Sequence, residues 1–271
     1  MHWTSPKWRD VGECIYCGVV SDSLQREHAV PYGLNGEWTL LRASCERCAR
    51  ITHRFERDTL RSLLPYVRAV LNMRTRRPKE RLRAMPVVLG SGSDARVVDL
   101  PPSEYPLYLP APQLPPPGIV VNRPRDRDMP SGVDFLYLAG PSFEEVAHRF
   151  GVDSAMVRVS YAPSEFARTI AKVAYAMAVC SLGVAPFRRS AIRRVILGED
   201  PHFGYLVGSS QVPQLDGSSG LHCGMVRASG TDIHVFVRLF AQFGAPEYHV
   251  ALGPADPEFV DSTAWPWPRD A

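Results

Sequence analysis

Four cysteines and one Glu-His pair hold the chemistry this chain could perform. Cys14 and Cys17 are separated by two residues, as are Cys45 and Cys48, and 27 residues lie between the pairs. A two-residue spacing lets both thiolates of one turn reach a single ion at about 2.3 Å, and two such turns complete a tetrahedron. The first residues, MHWTSPKWRD, lack the apolar core of a secretion signal, so the paired spacing reads as a structural Zn2+ site rather than as disulfides. Cys180, in an apolar helical stretch, and Cys223, near a strand-like run, are expected to be buried and inert. Glu27 and His28 stand ten residues after the first pair. A histidine can take a proton from water near neutral pH, and a carboxylate can hold a hard divalent ion. Plainer roles remain open: His28 bonding to nearby backbone, and Glu27 paired with a neighbouring arginine.

Charge is spread unevenly around these residues. The net charge of +3 hides a segment from Arg47 to Arg83 with twelve Lys or Arg against three acids, a local balance of +9. One basic segment on a mildly acidic body points to a polyanion partner, the alternative being a solvated helix face. Arg47, Arg50, Arg54, Arg57 and Arg61 recur at three- and four-residue steps, which gathers them on one side of a helix where they could track a phosphate backbone. Arg74, Arg76, Arg77, Lys79, Arg81 and Arg83 would extend that contact as an arm.

The 45% hydrophobic and 22% charged content is that of a globular protein. The longest uncharged apolar run, 173–187, is too short to span a bilayer, so no membrane association and a cytoplasmic location are expected. Self-association is left open. Ile51, Phe55, Leu60, Leu63 and Leu64 near helical spacing predict a helix after Cys45 that breaks at Pro65, with a second short helix starting there. Residues 101–130, with LPAPQLPPPG, read as extended linker, because proline builds neither helix nor sheet well. Three regions follow: 1–80 with the cysteines and basic helix, 81–131 proline-rich, and 132–271.

The last region carries clearer elements. Ser142 and Glu145 form a capping box ahead of a helix that Gly151 stops. Phe166, Ile170, Val173, Ala174 and Met177 mark one face of a long helix, and a shorter helix ends at Gly198. YLVG, HCGMVRA, DIHVFVRLFA and EYHVALG read as strands of an antiparallel meander, and the tail tryptophans are expected to dock on the body. The fold class is α+β. Ala147, Gly151 and Val157 have helix-turn-helix spacing, but MVRVSY alternates like a strand and is the favoured reading. His222, His234 and His249 fall on three successive strands and are read as cross-strand partners rather than a metal site.

Residues 13–56 resemble the HNH endonuclease family. The resemblance rests on Cys14, Cys17, Glu27-His28, Pro31, Gly33, Gly36, Cys45 and Cys48, in that order. It implies a treble-clef ββα-metal module, with Glu-His on a β-hairpin and the second cysteine pair at a helix start. It further implies a metal-dependent DNA endonuclease in which His28 is the general base and Glu27 a ligand of a catalytic Mg2+ or Mn2+, while the four-cysteine zinc stays structural. Leu40 and Ala49 stand where the family commonly has Asn and His, and His53, one turn beyond Ala49, is the candidate second ligand of that ion. DNA is the implied partner, RNA the open alternative. A non-catalytic, zinc-stabilised nucleic-acid-binding protein is the competing function.

Overall fold

The computed structural model describes residues 8–125, 131–215 and 220–261. The tail tryptophans lie outside these residues. The chain begins with a small sheet in which β1 (Trp8–Asp10) runs parallel to β3 (Thr39–Ser44), and β2 (Gln25–His28) pairs antiparallel with β3 on its other side. The register sets Glu27 opposite Leu40 and His28 opposite Thr39. β3 runs directly into α1 (Glu46–Asp58), with Cys45 as its extended N-cap residue. Between β2 and β3 the chain folds back on itself at Gly36, where a Cβ would lie 2.0 Å from the Val30 carbonyl oxygen, so only glycine fits.

Pro65 acts as expected. It has no N–H to continue the helix, and the chain widens into an i→i+5 turn over Thr59–Leu63, closed by Leu64 N–H donating to Thr59 O at 3.3 Å. α2 (Pro65–Val70) then starts with Pro65 in its first turn.

The proline-rich region contains more sheet than its composition suggests. β4 (Met85–Leu89) pairs with β5 (Arg96–Leu100), and β6 (Leu107–Gln113) pairs with β7 (Gly132–Ala139) along its whole length. The expectation of a bare linker across 101–130 is therefore corrected at Leu107–Gln113. Pro110 and Pro112 are two residues apart, so their missing N–H groups fall on the edge that a two-stranded ribbon leaves unpaired. The Pro112 carbonyl on that edge accepts a hydrogen bond from Tyr248 Oη at 2.8 Å.

α3 (Phe143–Phe150) has the capping box on Ser142 and Glu145 and ends at Gly151 in the left-handed region, φ 64°. It is followed by β8 (Ala155–Met156), which adds to β4, so no second helix of a helix-turn-helix forms before residue 163. Of the strand expected through MVRVSY, only Met156 is in β8; residues 157–161 are not in a strand.

The central element is α4 (Pro163–Leu182). Every residue from Thr169 to Cys180 is buried, so this helix is enclosed on all sides rather than amphipathic. Alanines at 171, 174, 176 and 178 keep it slim enough to pack against α1 and β3 on one side and the C-terminal sheet on the other. α5 (Ile192–Leu197) ends at Gly198 in the left-handed region, and α6 (Pro257–Val260) closes the described chain after the sheet. The sheet is antiparallel in the order β10 (His222–Ser229), β11 (Asp232–Leu239), β12 (Tyr248–Pro254), β9 (Val207–Ser209). One hydrophobic core runs from Cys14 through α4 to Ala255. The fold is α+β, and no helix among the described residues is long and apolar enough to cross a membrane.

Candidate functional site

The four cysteines come together. Cys14 and Cys17 sit in a tight turn closed by Gly18 N–H donating to Cys14 O at 2.7 Å, and Cys48 lies in the first turn of α1, three residues after Cys45. Their Sγ atoms all lie within 4.8 Å of one another, and Cys17 and Cys45 Sγ are 3.7 Å apart. A tetrahedron with metal–sulfur bonds of about 2.3 Å has edges of about 3.8 Å, so the tetrad is positioned to bind one metal ion such as zinc. The Cys14 thiol is shifted downward by its surroundings. Its neighbour Cys48, acting as a donor, and the backbone N–H groups of Cys45, Cys17 and Tyr16 hold it down to about 4 against the cost of burial. Cys180 is buried and its thiol is pushed up to about 12 by desolvation, while Cys223 is half-buried.

The Glu-His pair faces a groove of about 1190 Å3 between the hairpin, α1, α2 and the chain that follows. His28 has its Nδ1 buried without a hydrogen-bond partner, and its ring lies 5.6 Å from that of Tyr32. Burial, and then the charges of Lys172, Arg76, Arg26 and Arg74, hold His28 down at about 4, so the imidazole is neutral at physiological pH.

Glu27 is engaged from the far end of the chain. Its Oε1 lies 2.7 Å from Nζ of Lys172 on α4, and Glu56 Oε1 lies at the same distance from that ammonium. Lys172 is completely buried and Glu27 is 7% exposed. Burial pulls the Lys172 ammonium down, but the two carboxylates together outweigh it and keep it charged. Burial pushes Glu27 up, and the second carboxylate adds to that, because one ammonium serves two acids. Glu27 thus does form an ion pair, though with a lysine of α4 and not with a neighbouring arginine. Lys172 and Glu56 were not among the residues singled out from sequence. The one signal for Lys172 was a lone charge inside an otherwise apolar run, IAKVAYAMAV, which a helix end or a solvated face would explain equally well.

His53 is exposed and lines the same groove as Glu27 and His28. The arginine stripe of α1 divides. Arg50, Arg57 and Arg61 line the groove, joined by Arg26, Arg76 and Arg77, whereas Arg47 and Arg54 lie outside its lining. Arg74 and Arg76 each place a guanidinium 5.9 Å from the centre of the Tyr32 ring, within cation–π range. Ion pairs partly neutralise the stripe, Arg50 with Glu46 at 3.2 Å and Arg61 with Glu80 at 3.7 Å, both exposed and easily exchanged for an anionic ligand. Leu40, on β3, is fully buried in the core, and Ala49 lines the groove without a polar group.

The three sheet histidines do not converge. His234 Nδ1 and His249 Nε2 share a hydrogen bond at 2.9 Å, while His222 bonds Leu34 O through Nε2 at 2.7 Å and accepts from Phe240 N–H at 3.2 Å. Desolvation pushes both His222 and His249 down to about 4. A folded-state value below the ordinary 6.5 means that the unfolded chain binds protons first as pH falls, so stability present above pH 6.5 is lost towards pH 4. Each of the two contributes up to about 1.4 kcal/mol per pH unit in that window. Urea unfolding at pH 7, 6 and 5 should therefore show a progressive loss of stability, and His249→Phe should flatten the slope by up to about one proton.

The chain matches no protein-family model, no curated protein and no solved structure at a significant level, so the site is read from its own geometry.

Proposed function

We propose that this chain is a zinc-stabilised, HNH-like endonuclease that hydrolyses phosphodiester bonds in DNA. The observation that carries this reading is His28, a neutral imidazole that lines a groove rich in arginines and whose buried Nδ1 has no partner. In the proposed reaction the imidazole takes a proton from a water whose oxygen attacks phosphorus, the bond to the leaving sugar oxygen breaks, and that oxygen takes a proton from solvent as it departs. Arg26, Arg74 and Arg76, whose charges already bear on His28, are placed to neutralise the phosphate. A bound phosphodiester would offset those positive charges and make the imidazole a stronger base than it is in the free protein. The cysteine tetrad would hold Zn2+ with no open position, in a structural role.

A catalytic Mg2+ or Mn2+ would meet Glu27 and His53 in this groove. Glu27 is already neutralised by Lys172, however, so this pair does not fit a tightly held second ion. That engagement, together with Leu40 and Ala49 at motif positions, favours the second reading, a nucleic-acid-binding platform without catalysis.

Supercoiled plasmid and single-stranded RNA, each incubated with Mg2+, with Mn2+ or with EDTA, separate the readings. The intact protein should cut DNA, and His28→Ala at matched zinc content should cut about 100- to 10,000-fold more slowly while binding DNA equally well. Binding without cleavage by either protein, with affinity falling steeply as salt rises, would select the platform. Neither binding nor cleavage would reject both.

A further inference from the structure

The surroundings of Lys172 are those of a cation site. Four oxygens converge on its Nζ: Glu27 Oε1 and Glu56 Oε1 at 2.7 Å each, the main-chain oxygen of His28, and that of Ala29 at 3.4 Å. Two carboxylates and two carbonyls, with no sulfur or nitrogen among them, are the donor set that hard divalent ions select. The shell is buried, with Glu27 7% exposed and the Glu56 side chain 14%. It is assembled from β2, from α1 and from the residue after β2, and the ammonium enters it from α4 across the core. Other groups from the C-terminal half also end on main-chain oxygens of the first fifty residues. Tyr175 Oη donates to Ile15 O at 2.7 Å, Arg193 Nε to Tyr16 O at 2.7 Å, and His222 Nε2 bonds Leu34 O. These fasten the two halves, but among the described residues of the C-terminal half only Lys172 brings a charge into contact with the Glu-His pair.

We infer that Lys172 is a resident cation: it occupies the place a divalent ion would take between Glu27 and Glu56, and by bonding the His28 carbonyl it is the positioning residue for that imidazole. The inference goes beyond the proposed nuclease activity and holds whether or not the groove cuts nucleic acid. Its consequence is that the Glu-His pair is held in place from both halves of the chain. An ammonium fixed by its side chain cannot dissociate, so the Glu27 carboxylate keeps one orientation without depending on free metal. Removing the ammonium while leaving room for an ion should convert the shell into a divalent-metal site.

The test is Mn2+ binding followed by electron paramagnetic resonance on full-length, zinc-loaded protein. Mn2+ is chosen because it prefers oxygen donors and leaves the thiolates to zinc. The intact protein should take up no Mn2+ at this site, Lys172→Ala should bind one ion at least about tenfold more tightly than the intact protein does, and adding Glu27→Gln should abolish the gain. Lys172→Arg, which keeps a cation, should bind none. A single Mn2+ in the intact protein that Glu27→Gln removes would overturn the inference, as would a folded Lys172→Ala that gains no ion. Should Lys172→Ala fail to fold, the comparison of the intact protein with Glu27→Gln still decides: loss of a bound Mn2+ overturns the inference, and identical absence of Mn2+ upholds it. None of these readings depends on cleavage, so failure of the nuclease proposal is seen separately.

Discussion

Replacing Cys48 with serine should release the bound metal and unfold the N-terminal part of the chain. Cys48 is 1% exposed and sits beside Cys14, so its loss opens the tetrad from the inside. A serine hydroxyl does not substitute for a thiolate as a zinc ligand. Structural zinc contributes about 10–16 kcal/mol of apparent binding free energy in small zinc modules at neutral pH. The sheet of β1, β2 and β3 is too small to replace that with its own hydrophobic burial. Ile15 and Tyr16, held by the first knuckle, are both buried and receive hydrogen bonds from Tyr175 and Arg193. Losing the turn therefore also strips partners from α4 and α5. The expected loss in stability exceeds about 4 kcal/mol, measured by guanidinium unfolding, with one metal per chain in the intact protein and none in the variant. A strong chelator should reproduce the effect on the intact protein. Cys223→Ser should leave metal content unchanged. A Cys48→Ser protein that keeps its metal would show that the tetrad is not the site.

Lys172→Met should cost about 3–5 kcal/mol, because it leaves two buried carboxylates facing each other with no counter-charge. Methionine matches the length of the lysine stem, so the loss is electrostatic and not a packing void. The companion experiment is the replacement of all three groups, Lys172→Met with Glu27→Gln and Glu56→Gln. This variant should recover a large part of the loss, since none of the three buried charges then remains, although the His28 carbonyl still lacks its donor. The three substitutions share one network and their effects should be strongly non-additive. Equal costs for the single and the triple variant would mean that Lys172 stabilises the fold through its packing alone.

The sequence by itself determined the cysteine tetrad. Two residues of spacing within each pair confine both thiols of a turn to one spot, so the metal-ready arrangement of Cys14, Cys17, Cys45 and Cys48 is almost a local property, needing only that β3 lead back to the first turn. The caps of α3, the break at Pro65 and the C-terminal strands were legible for the same reason: capping, proline geometry and side-chain alternation act within a few residues. Sequence alone also nominated Glu27, His28 and His53, and the fold sets all three along one groove. What it could not supply was the partner of Glu27. Lys172 lies 144 residues beyond His28, and nothing in its neighbourhood says which side of α4 meets the hairpin. Likewise the division of the arginine stripe depends on what α1 packs against, and the strand through Pro110 and Pro112 depends on which edge of β6 is paired. The tertiary structure decided these, because a buried charge can exist only where the whole fold brings its counter-charge.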